Sequence, residues 1–495
     1  MPTVNFETLE KLELETVPAG AYRRFALILG IIVSAATARA DSPAGDKHLV
    51  LDPRIIASAA AARLVPGEVE KDTRNPLLRA ERPWENCFNN LYANVQYDEK
   101  ERLFQLWYQV VLADKDAMNK LTPPATSHLV GFLVCYATSK DGITWRRPNL
   151  GIFDYGGSTD NNIVTRDMSN AGVFRDDHDL DASRRYKMIC DYGRADGIML
   201  VRFSPDGLHW SSEQRPEGLP NVGDTHNNAF WDERQGKYVL ITRRYLGERL
   251  VYRSDSPDFL HWSEPVLALR SSPEEGKRVQ TYCMPAFPYA GGYLGWAMMY
   301  DVGPGRTVDC ELAWSADSVY WQRVFPGRPF VPRGPQGSYD SACIYAQAGP
   351  PVRFDGKLLL YYGGSVTKHA GWKRSCLPCL ARLRVDGFAC YEPAEAGKEG
   401  FVVTQPLRAT KGELRVNANA AGGAVRVAVL DTEGYSLDDC EPITGDVLDG
   451  VVRWRGGKSL AQLAGQTVRL RFELRAAKLY SFSGVERSTS APNSQ

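Results

Sequence analysis

Three carboxylates, Glu85, Asp224 and Asp340, stand among amides and aromatic rings in a pattern suited to acid–base work. Two carboxyl groups that face one bond divide its cleavage between them. The one that keeps its proton is the acid, and the other is the base or nucleophile. The flanking residues suit a hydroxyl-rich ligand. Trp84 and Asn86 flank Glu85, with Asn89 and Asn90 close behind; Asp160, Asn161, Asn162 and Asn170 follow. Thr225, His226 and Asn227 follow Asp224, and Gln280, Thr281 and Tyr282 come before Tyr339 and Asp340. Amides make paired polar contacts and rings offer flat surfaces, the combination that sugars need. Glu85, Asp224 and Asp340 are the catalytic candidates. Trp84, Asn86, Asn162, Asp176, His226, Tyr282 and His369 are the binding candidates.

These residues reach one place only if a repeated architecture brings them there, and the sequence repeats. Ser139-Lys-Asp141-Gly-Ile-Thr-Trp145 returns as Ser204-Pro-Asp206-Gly-Leu-His-Trp210 and as Ser315-Ala-Asp317-Ser-Val-Tyr-Trp321. A copy read as longer runs from Ser254 through Asp258 to Trp262. A spacing of about 50–65 residues means propeller blades or another array. In each copy Ser and Asp close a tight turn through side-chain hydrogen bonds, and Trp packs between layers. Asp141, Asp206, Asp258 and Asp317 therefore serve the fold. Between the turns lie short strand-like runs, Leu103–Tyr108, Tyr186–Cys190, Tyr238–Thr242, Tyr293–Ala297 and Leu358–Tyr362, each preceded by turn residues. They predict blades over 84–150, 160–215, 223–268, 280–332 and 337–392, with strand starts converging on an axis. Three carboxylates grouped there would repel, leaving one protonated near neutral pH.

After Asp386-Gly387-Phe388 the pattern changes to apolar–polar alternation, in Glu413–Asn417, Ala424–Val429, Val451–Trp454, Thr467–Phe472 and Lys478–Phe482. Period two marks half-buried strands. The expected fold is all-β: a five-bladed β-propeller over 81–395 and a C-terminal β-sandwich over 400–483, with a disordered tail over 484–495. Residues 41–80 read as an N-terminal extension, helical over 52–64, and Ala113 to His128 as a loop. Arg23-Arg24, the apolar run Phe25–Val33 and Ala38-Arg39-Ala40 read as a signal peptide or export segment over 1–40, which predicts a secreted or periplasmic protein. No other run is long enough to span a bilayer, so no integral membrane domain is expected. Lys plus Arg number 59 and Asp plus Glu number 59, for a formal net charge of zero. Without a basic footprint, nucleic acid is excluded as the main partner.

No spacing calls for a metal, and P-loop, dinucleotide and G-x-S-x-G signatures are missing. Of the ten cysteines, only Cys376-Leu377-Pro378-Cys379 forms a close pair. It lacks the second half of a zinc set, so it reads as incidental or as a local disulfide.

The chain resembles the propellers of glycoside hydrolase families 32 and 43, and more closely bacterial proteins that are family-32-like. The text that carries the resemblance is Tyr136–Gly151, Asn161–Val164, Arg185–Met188, Phe230–Arg234 and Gly337–Asp340, within residues 80–482. It implies a five-bladed fold, a carbohydrate partner, and a glycosidase that cleaves oligosaccharide or polysaccharide by two-carboxylate chemistry. It implies no cofactor, although some family 43 relatives hold a calcium ion on the axis. The departures weigh on the reaction. Trp84-Glu85-Asn86 stands where invertase-type members have Trp-Met-Asn-Asp-Pro, and Phe174-Arg175-Asp176-Asp177 stands for their Arg-Asp-Pro. Their Glu-Cys pair has no match. The alternative is a non-catalytic carbohydrate-binding propeller.

Overall fold

The computed structural model describes residues 47–123, 131–191, 198–220 and 222–487. The expected export segment lies outside the described residues. The chain is nearly all β: among the described residues the one α-helix is Lys115–Met118, capped by Asp114, within the expected 113–128 loop. No helix there is long and apolar enough to cross a membrane.

Each strand-like run named above is the second strand of an antiparallel meander. Asn94–Asp98, Leu103–Leu112, Gly131–Ser139 and Ile163–Arg166 form one sheet in chain order. Ser169–Arg175, Tyr186–Asp191 and Met199–Ser204 form the next, and Asn228–Asp232, Lys237–Tyr245, Arg249–Ser256 and Val266–Leu269 another. In the 279–323 meander the inner strand breaks into Val279–Cys283 and Ala286–Tyr289, both paired with Gly292–Asp301. In the 343–384 meander Cys343–Ala346 and Val352–Phe354 pair with Lys357–Ser365, and Cys376–Arg384 follows.

Inner strands touch in cyclic order. Asn94–Asp98 meets Ser169–Arg175, which meets Asn228–Asp232, which meets Ala286–Tyr289; Val352–Phe354 returns to Asn94–Asp98. Side-chain amides bind the neighbours. Asn94 Oδ1 accepts from the Val173 N–H at 2.9 Å, and Asn228 Oδ1 from the Ala286 N–H at 2.8 Å. These amides replace the ladder bonds that splayed strands cannot make to one another.

The repeated turns lock each meander to the one before it. Asp141 Oδ1 accepts from the N–H groups of Ile143 and Thr144, and Asp206, Asp258 and Asp317 do the same two and three residues on. One correction follows. The third copy is not longer: Ser256 Oγ meets Asp258 at 3.2 Å, so its turn is Ser256 to Trp262 and Ser254 belongs to the strand. The fourth position needs positive φ, which Gly142 and Gly207 take at φ 72° and 77°, whereas Phe259 and Ser318 are forced to 72° and 65°. The Trp107 indole donates to Gly207 O at 2.7 Å, Arg184 to Asp258 O at 2.7 Å and Gln235 to Asp317 O at 3.2 Å. Tyr361, late in the chain, donates to Gly142 O at 2.8 Å, so the order of contacts closes into a ring.

The C-terminal strands form a nine-stranded sheet built on Arg415–Val429, Leu470–Arg475 and Lys478–Ser483, with Leu407–Ala409 in a smaller three-stranded one. Val402, Val427, Trp454, Phe472 and Leu479 fill its core. Three expectations are corrected here. Residues 52–64 are not helical: Ile56–Ala60 pairs with Glu399–Thr404 and Ala62–Pro66 with Ala389–Pro393. Alanine favours a helix by only a few tenths of a kcal/mol per residue, and this run has no apolar stripe to bury as one. Residues 41–80 are not a mere extension either, since Glu70–Lys71 also pairs with Cys376–Arg384 as the outer strand of the last meander. The tail is ordered at its start, where Val485–Arg487 pairs with Leu407–Ala409 and Val485 is buried.

Candidate functional site

The three catalytic candidates do not form one cluster. Glu85 is wholly buried: Arg147 Nε donates to it at 2.6 Å, Tyr108 OH at 2.7 Å and the Glu81 N–H at 3.1 Å. Asp340 is also buried, holding Lys71 Nζ at 2.5 Å and Tyr362 OH at 3.0 Å. Asp224 pairs with Arg243, and its side chain is 85% exposed whereas that of Arg243 is 4% exposed. Each carboxylate thus has its own cation. The mutual repulsion expected of a shared pocket is replaced by separate ion pairs. Opening a strand in sequence does not fix the direction of a side chain in the loop before it, and Glu85 and Asp340 turn toward outer strands.

The binding candidates divide in the same way. Asn162 donates to Tyr108 OH at 2.9 Å and to Tyr136 O at 2.6 Å, and accepts from the Trp84 indole at 2.8 Å. Glu85, Tyr108, Asn162 and Trp84 therefore form one hydrogen-bonded group. Asn86 binds Asp114 at 2.5 Å and accepts from the Ala113 N–H at 2.8 Å. Asp176 lies at the other end of its inner strand, between Lys187 Nζ at 2.7 Å and Tyr238 OH at 2.7 Å.

His226, Tyr282 and His369 do converge, at the end of the ring where inner strands begin. The His226 ring lies 4.8 Å from that of Tyr92, the hydroxyls of Tyr92 and Tyr282 are 2.5 Å apart, and the Tyr282 ring is 4.7 Å from that of His369. Asn90 donates to both hydroxyls, at 2.7 and 2.8 Å. Arg374 donates to Asn90 at 3.0 Å and to Asn89 at 2.7 Å. The guanidinium of Arg243 stands 5.1 Å over Tyr282, and that of Arg249 stands 5.0 Å over Tyr300. Tyr345 OH meets His369 Nδ1 at 2.6 Å. The backbone before the first inner strand is strained to deliver these groups: Asn89, Leu91 and Tyr92 have φ of 50°, 65° and 46°. A left-handed conformation costs about 1–2 kcal/mol for a residue other than glycine, and such outliers gather where geometry is held for a purpose.

Burial sets the protonation of this axial mouth. It lowers His226 to about 3. Burial, reinforced by Arg374, Arg249, Arg243 and Arg306, lowers His369 to about 2. It lifts Tyr282 to about 12, against the pull of Arg243, and Tyr92 and Tyr345 well above the ordinary phenol. The imidazoles are neutral and the phenols protonated at neutral pH. Sequence reasoning missed Tyr92, Tyr345, Arg243, Arg249 and Arg374. The one signal was Arg243, which directly follows the strand-like run Tyr238–Thr242.

At the opposite end, the inner-strand ends line a cavity of about 830 Å³ that includes Tyr97, Asp98, Asp176, His178, Trp231 and Arg353. The His178 ring stacks on Trp231 at 3.5 Å and 8°. Among the described residues no three His, Cys, Asp or Glu side chains gather to hold a metal ion. His226 Nε2 meets Asn94 Oδ1 at 3.3 Å, and the backbone of Ala171 and Ala346 lies within reach of the same ring. All ten cysteines are free thiols, Cys376 and Cys379 included.

No protein-family model matches the chain, and no curated protein does. Among solved structures it is similar to the β-1,2-mannobiose phosphorylase of Listeria innocua, at 14% identity and a TM-score of 0.43, over 64% of this chain and 97% of that one. It is also similar to the catalytic domain of the Coprinopsis cinerea family 62 α-L-arabinofuranosidase, at 13% identity and a TM-score of 0.43, over 64% and 98%. A third is the Podospora anserina α-L-arabinofuranosidase, at 12% identity and a TM-score of 0.42, over 64% and 96%.

Proposed function

We propose that the chain is a carbohydrate-active protein: a five-bladed β-propeller, braced by a β-sandwich, that takes an oligosaccharide at its axial mouth. The observation that carries this reading is the convergence there of Asn90, Tyr92, Tyr282, Tyr345, His369 and the arginines. Amides, phenols and rings held together at one end of a fold are the groups that orient a polyhydroxylated ligand. The blade count is supported by the closed order of turn contacts, from Gly142 back to Tyr361. The sandwich is supported by the core shared between the two C-terminal sheets, to which Leu407 and Val485 contribute. Export, read from residues 23–40, belongs to the same proposal.

Glycosidic cleavage is the reaction we attach to the site, with Asp224 as the candidate carboxylate open to a ligand. A second reading is favoured by a specific observation. Two-carboxylate cleavage needs both groups within about 5–10 Å across one pocket, and Glu85 and Asp340 are buried in ion pairs of their own. That favours a binding propeller without catalysis. The test is a panel of neutral and acidic oligosaccharides incubated with the purified chain, followed for binding and for release of reducing ends. Release supports the hydrolase. Binding without release selects the binding protein, and neither across the panel removes carbohydrate as the ligand.

A further inference from the structure

The axial mouth holds more buried positive charge than its structural contacts use. Arg374 is buried, and its partners are the neutral oxygens of Asn89, Asn90 and Gly371. Arg249 is half-buried and meets the Gln280 amide oxygen at 3.1 Å, and among the described residues its buried Nε has no hydrogen-bond partner. Among the described residues, Arg243 alone of these three guanidiniums has a carboxylate, Asp224, and that carboxylate faces solvent. Acids on the adjoining loops are spent elsewhere: Glu248 on Arg270, Asp301 on Arg278, Asp309 on Arg333 and Asp167 on Arg166. Asp191, buried on the neighbouring meander, has contacts of its own. Keeping cations out of water without an opposite charge is unfavourable, so a fold that does so has a use for the field.

The geometry is also that of a receiving site. Arg243 stands over Tyr282 and Arg249 over Tyr300, and both rings lie 4.7 Å from that of His369. Tyr345 is fully buried, and its hydroxyl meets His369 Nδ1 at 2.6 Å. With Nδ1 accepting, the neutral ring carries its hydrogen on Nε2 and is itself a donor. Guanidinium forks and an N–H donor match the planar, paired oxygens of a carboxylate or sulfate.

We infer that the axial mouth is an oxyanion site, in which Arg249 and Arg374, with Arg243 and His369, take a carboxylate or sulfate borne by the sugar, so that the ligand is an acidic glycan. This rests on the reading of the mouth as a carbohydrate site and deepens it. The same chemistry would accept a free inorganic anion, and the test separates the two sources.

The full chain is titrated calorimetrically with an oligogalacturonide, a sulfated galactan fragment, a neutral galacto-oligosaccharide of equal length, inorganic phosphate and inorganic sulfate, at low and high salt. The expected result is that one acidic glycan binds more tightly than the neutral one, by about tenfold or more for a charge-assisted contact. That preference should shrink with added salt. Arg249→Gln, at a half-exposed position, should remove the preference while melting like the parent. Arg374→Lys keeps the charge but loses the fork, and should weaken it. Phosphate or sulfate that binds alone and competes with the glycan assigns the site to a free anion and still supports an oxyanion site. Equal affinity for neutral and acidic glycans overturns the inference and leaves the carbohydrate reading standing. Anion binding with no glycan binding does the reverse. No binding of any charged probe overturns the inference.

Discussion

Tyr289 donates its hydroxyl to Asp386 Oδ1 at 2.6 Å, and through Asp386 the ring of meanders is tied to the C-terminal sheet. The other carboxylate oxygen accepts from Ser481 Oγ at 2.7 Å, with Lys47 Nζ at 3.7 Å. Two residues earlier, Arg384 donates to Asn417 Oδ1 at 2.6 Å and to Val447 O at 2.6 Å. One buried acid therefore joins the 279–323 meander, the linker and the last long strand. Asp386→Ala should cost about 3 kcal/mol or more, because it leaves several buried donors unsatisfied. Tyr289→Phe, which removes one donor, should cost about 1 kcal/mol. Urea unfolding of the two variants checks the ratio, and equal losses would mean that the carboxylate is not the hub.

A chain cut near Pro393 should do worse than a missing brace implies. It strands Ile56–Ala60, whose one pairing partner among the described residues is Glu399–Thr404. An unpaired edge of this kind invites aggregation. Light scattering of the truncated chain should show association at concentrations where the whole chain stays monodisperse. A monomer as stable as the whole chain would refute this.

The repeated turns predict an acid limit. Burial raises the carboxyl of Asp141, but the N–H groups of Thr144 and Ile143 and the Ser139 hydroxyl outweigh it and hold the group near 2. Asp258 is held near 2 in the same way, by His261 and Leu260. A carboxyl depressed on folding stabilises the fold above its unfolded value, about 3.9, and that help is lost as pH falls through the folded value. Stability should therefore drop between about pH 4 and pH 2, and Asp141→Asn combined with Asp258→Asn should flatten the drop. Gly207→Ala should be more damaging than either, since φ is 77° and an added Cβ would meet the Trp107 ring at 2.6 Å. Thermal melts across this pH range test all three.

The two axial histidines act in a higher window. Each is lowered on folding chiefly by burial, His226 to about 3 and His369 to about 2. The unfolded chain binds protons that the folded chain refuses, so stability rises with pH from about 2 to 6.5 and is flat above. Proton NMR should show the ring signals of His226 and His369 unmoved between pH 5 and 8. His261, which Asp258 raises through a hydrogen bond, should titrate. A titration of His226 near 6.5 would contradict its burial.

The fold was legible where the sequence repeats a local rule. Ser-x-Asp turns, aromatic runs and period-two alternation name their own hydrogen bonds, so meanders and C-terminal strands follow from them. The copy at Ser256 was misplaced because Phe259 fills the glycine position and hides the motif. The strands between Ile56 and Lys71 were hidden for a different reason: their partners lie more than three hundred residues later, and little of their own surface is buried. The site was half legible. Asp224, His226, Tyr282 and His369 meet because they sit next to inner strands or on the loop above them. Arg243 comes from a second strand, Arg249 from the start of a third and Arg374 from a return loop, and no spacing reveals their approach to the axis.

Glu85, Asp340 and Asp224 should separate when their charge is removed. Arg147 is mostly buried beside Glu85, and Tyr108 needs the same carboxylate as its acceptor. Glu85→Gln leaves that arginine only the exposed Glu81 at 4.0 Å, for a loss of about 3 kcal/mol. Asp340→Asn does the same to Lys71, with a smaller loss, about 1–3 kcal/mol, because the lysine reaches water. Asp224→Asn removes a carboxylate that lies in solvent but is paired with the buried Arg243, so the expected loss is smaller than for Glu85→Gln, about 1–2 kcal/mol. If the chain cleaves a glycoside, that substitution should lower turnover per folded molecule by orders of magnitude, whereas Glu85→Gln should lower the folded fraction and spare turnover per folded molecule. Differential scanning fluorimetry beside reducing-sugar release gives both readouts from one preparation. A Glu85→Gln protein that melts like the parent and has lost all turnover would return Glu85 to the chemistry and remove it from the scaffold.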